Sequence, residues 1–198
     1  DEVDIIINGN DSNLKDNTYV VFDVETTGFN SGLSDSIIEI GAVKIKDGEI
    51  IDRFEQLINP NKSLDLSIIE ITSITDSMLE GKPNEEEAVK RFKEFIGDSV
   101  LVAHNAKFDI SMLKMAYYKY DLGEVENPII DTLMLSRVIN RDLKKHSLKA
   151  LGKFYGIDTG EADEDDDEAV NESGVSGKII DSEIAEAFIS IKVDGEDV

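Results

Sequence analysis

The sequence predicts an α/β fold, in which helices flank a mixed β-sheet made of a three-strand antiparallel meander and additional parallel strands. Short apolar segments of strand length follow one another in the first third of the chain, and Asp47-Gly48, a pair typical of hairpin turns, separates two of them. Beyond residue 84, apolar segments of strand length alternate with segments whose apolar residues recur at helical spacing. Strand–helix units of this kind add parallel strands to a sheet.

The first three predicted strands form the meander. A continuous apolar segment from Thr18 to Val24 predicts a central strand, Ser36 to Ile45 predicts a second, and Ile50 to Ile58 predicts a third. Pro60 ends the meander, because proline cannot donate a hydrogen bond to a strand ladder. After it, Leu64 to Leu79 has short helix-like spacing.

The rest of the chain alternates in type, and most of its helices begin at a capping residue. Asn84, Asp131 and Ser147 are residue types that accept hydrogen bonds from the first turn of a helix. The predicted elements are a helix ended by Gly97, a strand from Ser99 to Ala103, a helix starting near Phe108, helices from Thr132 to Ile139 and from Leu148 to Tyr155, and a last helix from Ile179 to Ile191.

The composition predicts a single domain. Residues 1–17 are mostly polar, with isoleucine at positions 5–7 and single apolar residues at Val3 and Leu14. They are expected to be a lead-in or a linker from a preceding domain, with the domain itself over residues 18–198. Cysteine is absent, which excludes disulfides and thiolate metal sites. There is no signal-peptide pattern and no apolar run near the ~20 residues that span a bilayer, so we expect a cytoplasmic chain with no membrane partner.

The formal net charge of −23 would oppose nucleic-acid binding if it were evenly spread. It is not, because Asp158 to Val198 contains 15 acidic and 2 basic residues and so carries −13 of the total. Within it, residues 158–178 form an atypical acidic segment. The total charge therefore does not decide whether the front part of the chain binds a polyanion.

Asp23 and Glu25 are two acids within an apolar strand that ends at a glycine turn. Residues two apart on a strand share a face, so the two carboxylates can bind one ligand. Like charges held this close are costly unless a cation neutralises them, and Mg²⁺ or Mn²⁺ prefers oxygen ligands. Asp109 follows a second strand, and ligands of such sheets gather at the carboxyl ends of the strands.

Four spaced motifs lie between Tyr19 and Ile157. They are Phe22-Asp23-Val24-Glu25-Thr26-Thr27-Gly28, His104-Asn105-Ala106-Lys107-Phe108-Asp109, Ile130-Asp131-Thr132-Leu133 and His146-Ser147-Leu148-Lys149-Ala150-Leu151. In this order they resemble the motifs of the DEDD exonucleases, and most closely those of the proofreading domains of PolC-type replicative DNA polymerases. The resemblance implies a ribonuclease H-like fold and removal of nucleotides from a DNA 3′ end with two divalent cations, Mg²⁺ or Mn²⁺. It also implies that the chain acts within a larger replicative polymerase.

The resemblance assigns roles to particular residues. Asp23 is similar to the ligand that bridges two cations, with Glu25 and Asp109 completing the set. Contacts to a single-stranded 3′ end are assigned to Thr26, Thr27, Gly28, His104, Asn105 and Phe108.

Some of these residues also have structural explanations. A hydrogen bond from His104 would hold the loop before Asp109, and Phe108 would serve the core as readily as it would stack on a base. Asp131 is expected to cap a helix rather than bind metal. His146 is expected to be a cap or a substrate neighbour rather than a base.

The chain departs from the family at its fourth motif, which is His-x-x-x-x-Asp or Tyr-x-x-x-Asp. Its two histidines, His104 and His146, belong to earlier motifs, so the general base expected of the family is missing. Asp166 is the candidate for the fourth acid, although a run as acidic as residues 161–168 offers an acid at any spacing and is equally typical of a solvated loop.

The function that this pattern predicts is a metal-dependent 3′–5′ exonuclease acting on DNA, in proofreading. A module of the same fold that binds a 3′ end or a replisome partner and hydrolyses little is the alternative, and the missing histidine favours it. An exoribonuclease would differ only in its contacts to the 2′-hydroxyl.

Overall fold

Five strands form one mixed sheet in the computed structural model, which describes residues 16–28 and 34–157. The strands are β1 (Thr18–Thr26), β2 (Ile37–Lys46), β3 (Glu49–Leu57), β4 (Val100–Ala103) and β5 (Ile129–Asp131). Their spatial order is β3-β2-β1-β4-β5. Strands β1, β2 and β3 are antiparallel neighbours, whereas β4 runs parallel to both β1 and β5. The predicted mixed sheet is confirmed.

Six helices connect or follow the strands of the described residues. They are α1 (Leu66–Thr72), α2 (Asp76–Leu79), α3 (Glu85–Ile96), α4 (Lys107–Lys119), α5 (Thr132–Ile139) and α6 (Leu148–Tyr155). The three predicted caps are confirmed, since the side chains of Asn84, Asp131 and Ser147 accept hydrogen bonds from the first turns of α3, α5 and α6. None of the described helices is both long and apolar enough to cross a bilayer.

The hairpin turn also matches its sequence signal, since Asp47 and Gly48 have φ values of 53° and 79°. That left-handed pair suits the twist of a two-residue turn between antiparallel strands. Strand β1 runs two residues beyond the predicted end at Val24, because its pairing with β2 continues to Thr26. The helix-like segment at residues 64–79 is two short helices, since Ser73 is left-handed, with φ of 59°, and ends the first.

Apolar side chains cover both faces of the sheet. The larger cluster joins one face of β1 and β2 to α3 and α4 and contains Val20, Phe22, Ile40, Phe92 and Leu113. The opposite face carries a smaller cluster with Tyr19, Val21, Val43, Ile45 and Val102. The side chains of β1 from Tyr19 to Phe22 therefore point alternately into the two clusters, and both sets are buried. This burial anchors the strand that carries the acid pair.

A buried carboxylate ties the helices to the start of β2. The Glu85 side chain accepts hydrogen bonds at 2.7 Å from the backbone N–H of Ile37, from Lys119 Nζ and from the Tyr120 hydroxyl. Because Ile37 pairs with Thr26 at the end of β1, this contact steadies the strand pair next to the glycine turn. Burial without these donors would be costly for the carboxylate.

Candidate active site

The carboxyl ends of β1, β4 and β5 meet at one edge of the sheet, because the three neighbouring strands are parallel. Asp23 and Glu25 lie among the last residues of β1, the β4–α4 connection leads to Asp109, and β5 ends at Asp131. The topology therefore brings together the acids that the sequence separates by up to 108 positions.

Asp23 and Glu25 project from the same face of β1, as alternation predicts. In the register with β2, Asp23 lies opposite Gly41 and Glu25 lies opposite Glu39. Glycine leaves space beside Asp23, where an added Cβ at Gly41 would meet no atom within 4 Å. Both acidic residues are half-buried, so their carboxylates stand where a ligand can reach them.

Asp109 is buried, with 5% of its surface exposed, and lies in the first turn of α4. Its Oδ1 accepts a hydrogen bond of 3.2 Å from the backbone N–H of Val24. This donor is available because β4 pairs with β1 only as far as Val21, so the following residues of β1 have no strand on the β4 side. The contact fixes Asp109 against the residue that separates Asp23 from Glu25.

The surroundings of Asp109 disfavour its charged form. The pKa of the Asp109 carboxyl is raised to about 7, mainly by burial and to a smaller extent by the negative charges of Glu25 and Asp131, against the lowering effect of backbone hydrogen bonds from its own N–H and that of Val24. A cation bound beside the carboxylates would reverse this balance. The pattern is typical of acids that a metal ion neutralises, since a buried carboxylate with no counter-charge is otherwise unfavourable.

The turn after β1 is fixed by its own side chains. Thr26 Oγ1 donates to the carbonyl oxygen of Gly28 at 2.6 Å, and Thr27 Oγ1 accepts from the backbone N–H of Ser36 at 3.0 Å. At Gly28 a Cβ would lie 2.6 Å from Asp35 Oδ1, so any other residue would displace the Asp35 side chain. Both hydroxyls predicted to contact substrate are thus engaged with the backbone.

Asp131 holds the loop that leads into α4. Its carboxylate accepts from the backbone N–H groups of Asn105 and Ala106, each at 3.1 Å, and from those of Leu133 at 2.9 Å and Met134 at 3.3 Å. Asn105 is left-handed, with φ of 58°, a conformation that asparagine adopts more readily than most residues. The cap predicted for α5 is therefore also a clamp on the β4–α4 connection, a role that sequence spacing did not indicate.

Both histidines make hydrogen bonds with side-chain hydroxyls. His104 Nδ1 lies 3.0 Å from Thr132 Oγ1, and the His104 ring also hydrogen-bonds the backbone of His146. His146 Nδ1 lies 2.8 Å from Ser136 Oγ. Burial lowers the pKa of His104, and the charge of Asp131 acts in the opposite direction. The hydrogen bond between His104 and Thr132 agrees with the structural explanation given for His104, in which it steadies the loop.

Phe108 is half-buried and packs against the larger core cluster, so its position allows both a core role and contact with a base at its exposed edge. Asp166 and the predicted last helix over residues 179–191 lie outside the described residues. The roles given to the site residues thus stay predictions, and the Val24–Asp109 hydrogen bond shows only that the start of α4 lies against the part of β1 that carries Asp23 and Glu25.

The acids supply oxygen donors only, which suits a hard divalent cation such as Mg²⁺ or Mn²⁺. The unfavourable burial of Asp109 beside Glu25 is the observation that favours a cation there. Within residues 16–28 and 34–157, no three aspartate, glutamate or histidine side chains gather closely enough to form a metal site as they stand. The donor set thus fits the cation in chemistry, and one of its predicted members, Asp166, lies beyond these ranges.

The chain is similar to known proteins over most of its length. A family model with the description Exonuclease matches residues 20–172. A DNA polymerase III PolC-type of Staphylococcus haemolyticus is 50% identical over 158 residues, which are 80% of this chain and 11% of that protein. The corresponding protein of Halalkalibacterium halodurans is 52% identical over 145 residues, 73% of this chain and 10% of that protein. The chain thus spans about a tenth of the length of the curated relatives it matches.

Solved structures with the same fold are also exonucleases. Exonuclease X, in complex with 5′-overhanging duplex DNA, aligns with a TM-score of 0.58 and 23% identity, covering 90% of this chain and 94% of that one. E. coli Exonuclease I, in complex with a dA16 oligonucleotide, aligns with a TM-score of 0.68 and 17% identity, covering 89% of this chain and 41% of that one. The sheet order and flanking helices described above are therefore those of an exonuclease fold.

Proposed function

The chain belongs to the exonuclease family, and from this premise we propose that it removes nucleotides from the 3′ ends of DNA in a metal-dependent reaction, as the proofreading domain of a larger replicative polymerase. The observation that carries the proposal is the hydrogen bond from the Val24 N–H to Asp109 Oδ1. It joins a buried acid on α4 to the strand residue between Asp23 and Glu25, so that carboxylates from two elements converge.

Asp23, Glu25 and Asp109 are the residues that would hold the cations, with Asp166 as a further candidate. When bound, two divalent ions would acidify a water molecule and stabilise the charge that develops on the phosphodiester oxygens. The chain itself supplies a rigid frame for the reacting end. The Thr26–Gly28 turn orients the terminal nucleotide, and the clamp of Asp131 on Asn105 and Ala106 sets the position at which α4 begins.

The larger setting is inferred from the relatives. Those named DNA polymerase III PolC-type match this chain over about a tenth of their length, as an internal or attached domain of a polymerase would. A nuclease joined to a polymerase has a 3′ end as its natural substrate. DNA rather than RNA is favoured by this setting, and the E. coli Exonuclease I structure contains a DNA oligonucleotide.

A second candidate function is a module that binds a 3′ end or a replisome partner with little hydrolysis. The specific observation in its favour concerns the histidines, because the chain has two and both ring Nδ1 atoms lie within 3.0 Å of hydroxyl oxygens that hold them in place. Neither lies in the fourth motif, where the family carries its general base. A base contributes on the order of 10²–10⁴ in rate, so its loss would weaken a metal-assisted reaction without abolishing it.

Hydrolysis of a 5′-labelled single-stranded DNA tests the proposal. We expect the chain to shorten this DNA stepwise from its 3′ end with Mg²⁺ or Mn²⁺, and Asp23→Ala to abolish the shortening. The matched control is Asp98→Ala, which removes an exposed acid at the opposite end of β4. Absence of shortening by the parent chain, with DNA and metal still bound, would reject the exonuclease in favour of the binding module. Equal loss in Asp98→Ala would reject the assigned site.

The same assay distinguishes DNA from RNA. An oligoribonucleotide of equal sequence should be shortened more slowly than the DNA. Faster shortening of the RNA would instead indicate an exoribonuclease, whose preference comes from contacts to the 2′-hydroxyl.

A further inference from the structure

Residues 137–153 form a positively charged stretch in a chain whose net charge is −23. They contain six basic residues and a single acid, Asp142, and they run from α5 through the following loop into α6. We call the basic residues the basic strip: Arg137, Arg141, Lys144, Lys145, Lys149 and Lys153.

All six side chains of the basic strip are exposed. Lys149 and Lys153 lie one helical turn apart and so share a face of α6, whereas Leu151 and Gly152 are buried. None of the four lysines forms an ion pair with another described residue, in contrast to Lys90, which pairs with Glu86. Their charges are therefore not neutralised locally by the described part of the chain.

The basic strip adjoins the candidate active site through His146, which lies between two of its lysines. His146 lies between Lys145 and Lys149, and its backbone hydrogen-bonds the ring of His104 in the loop before α4. The charge of Arg137 also acts on His104. The middle of the strip thus lies next to the loop that leads to Asp109, and its last two lysines lie on α6.

Local charge matters more than total charge for a ligand that lies on this surface. At physiological ionic strength the screening length is about 8 Å, so acids on distant surfaces contribute little. Exposed apolar side chains accompany the lysines, since Phe154 is 54% exposed and Val138 is 60% exposed. Lysines interspersed with an accessible aromatic ring are the features with which proteins bind single strands without sequence preference.

We propose that the basic strip binds the phosphodiester backbone of a single strand whose 3′ end occupies the candidate active site. This inference rests on the proposed function and adds the surface that binds the part of the strand distant from its 3′ end. Binding of this kind is independent of sequence, because lysine and arginine contact phosphates rather than base edges.

Binding of fluorescein-labelled dT16 by anisotropy, in EDTA to prevent hydrolysis, tests the inference. The variant Lys144→Gln/Lys145→Gln/Lys149→Gln/Lys153→Gln should bind this DNA at least about tenfold more weakly at low salt. The slope of log K against log salt concentration should also be less steep, by about 0.7 for each phosphate that the variant no longer binds. The matched control is Lys82→Gln/Lys90→Gln/Arg91→Gln/Lys114→Gln, which removes equal charge from exposed positions outside the strip. Thermal unfolding of both variants shows whether each is folded.

The control should lose clearly less affinity than the strip variant. Equal losses would overturn the inference, because they would show that total charge alone governs binding. An unchanged or higher affinity of the strip variant would also overturn it. The binding experiment measures no hydrolysis, so a negative result would reject only the role of the basic strip and not the proposed exonuclease activity. Conversely, if the chain did not shorten DNA, the basic strip could still be shown to bind it.

Discussion

Asp109 is the buried acid of the candidate site, and its position in the sequence, its burial and its charged neighbours all bear on its role. Its carboxylate is buried beside Glu25 and Asp131, and it accepts one hydrogen bond from the backbone between the two acids of β1. The sequence predicted that Asp109 belongs with Asp23 and Glu25. It did not predict the Val24 contact, because that contact depends on where the pairing of β1 with β4 stops.

A first prediction concerns pH in the absence of metal. With the Asp109 pKa raised to about 7 from its ordinary value of 3.8, the folded state binds the proton more tightly than the unfolded state does. The free energy of unfolding should therefore fall as pH rises from about 4 to 7 and then level off. In EDTA, Asp109→Asn should gain stability relative to the parent chain between pH 5 and 8, by roughly 1–4 kcal/mol in urea unfolding. A difference independent of pH would contradict this account of Asp109.

A second prediction concerns Tyr117, whose buried hydroxyl has no hydrogen-bond partner among the described residues. Burial raises its pKa to about 12. Removing an unsatisfied polar group relieves a desolvation cost of about 1–3 kcal/mol, so Tyr117→Phe should leave the melting temperature unchanged or raise it. The matched control is Tyr120→Phe, which loses the hydrogen bond to Glu85 and should lower it. A melting temperature lowered equally by both substitutions would show that Tyr117 does have a partner.

At the scale of elements, local sequence signals determined most boundaries. Helices α3, α5 and α6 begin after Asn84, Asp131 and Ser147, and the Asp47-Gly48 turn joins two strands. Strand β5 was not predicted, because three residues are too few to show periodicity and its existence depends on pairing with β4. The shortest strands thus form only through tertiary pairing and cannot be predicted from local sequence, whereas helix caps and hairpin turns can.

The Asp131 clamp is the element-scale feature with the largest expected effect. Asp131→Ala would leave the N–H groups of two elements without their acceptor, two in the loop before α4 and two in α5. We expect a loss of about 2–4 kcal/mol in urea unfolding, since unsatisfied buried donors are costly. Ser147→Ala, which removes a single cap bond of 3.4 Å, should cost about 1 kcal/mol or less. Similar losses in the two variants would reduce Asp131 to an ordinary cap.

At the scale of the whole molecule, the charged residues are unevenly distributed along the sequence. The acidic residues beyond 157 and the basic strip of α5 and α6 are adjacent in sequence and opposite in sign. The net charge did not decide whether the chain binds nucleic acid, whereas the placement of the lysines favours such a partner. The exonuclease fold and family were predictable because several spaced motifs agree, and the fourth acid was not, because residues 161–168 offer too many candidates.

The fourth acid leads to a separate prediction. If Asp166 completes the metal set, Asp166→Ala should lower Mn²⁺ affinity in calorimetry, while Asp165→Ala and Asp167→Ala should not, because only one position in the acidic run can meet the site. Equal effects from all three would show that the run acts only through its total charge.

Calorimetric titration of Mn²⁺ tests the central claim most directly, namely that acids from β1 and α4 form one cation site. Asp23→Asn and Asp109→Asn should each lower the Mn²⁺ affinity by at least about tenfold, because each removes an anionic oxygen ligand. Asp98→Asn, an exposed acid on the same domain, should bind Mn²⁺ as the parent chain does. Mn²⁺ affinity unchanged by Asp109→Asn would contradict the account, since the buried carboxylate would then play no part in holding the cation.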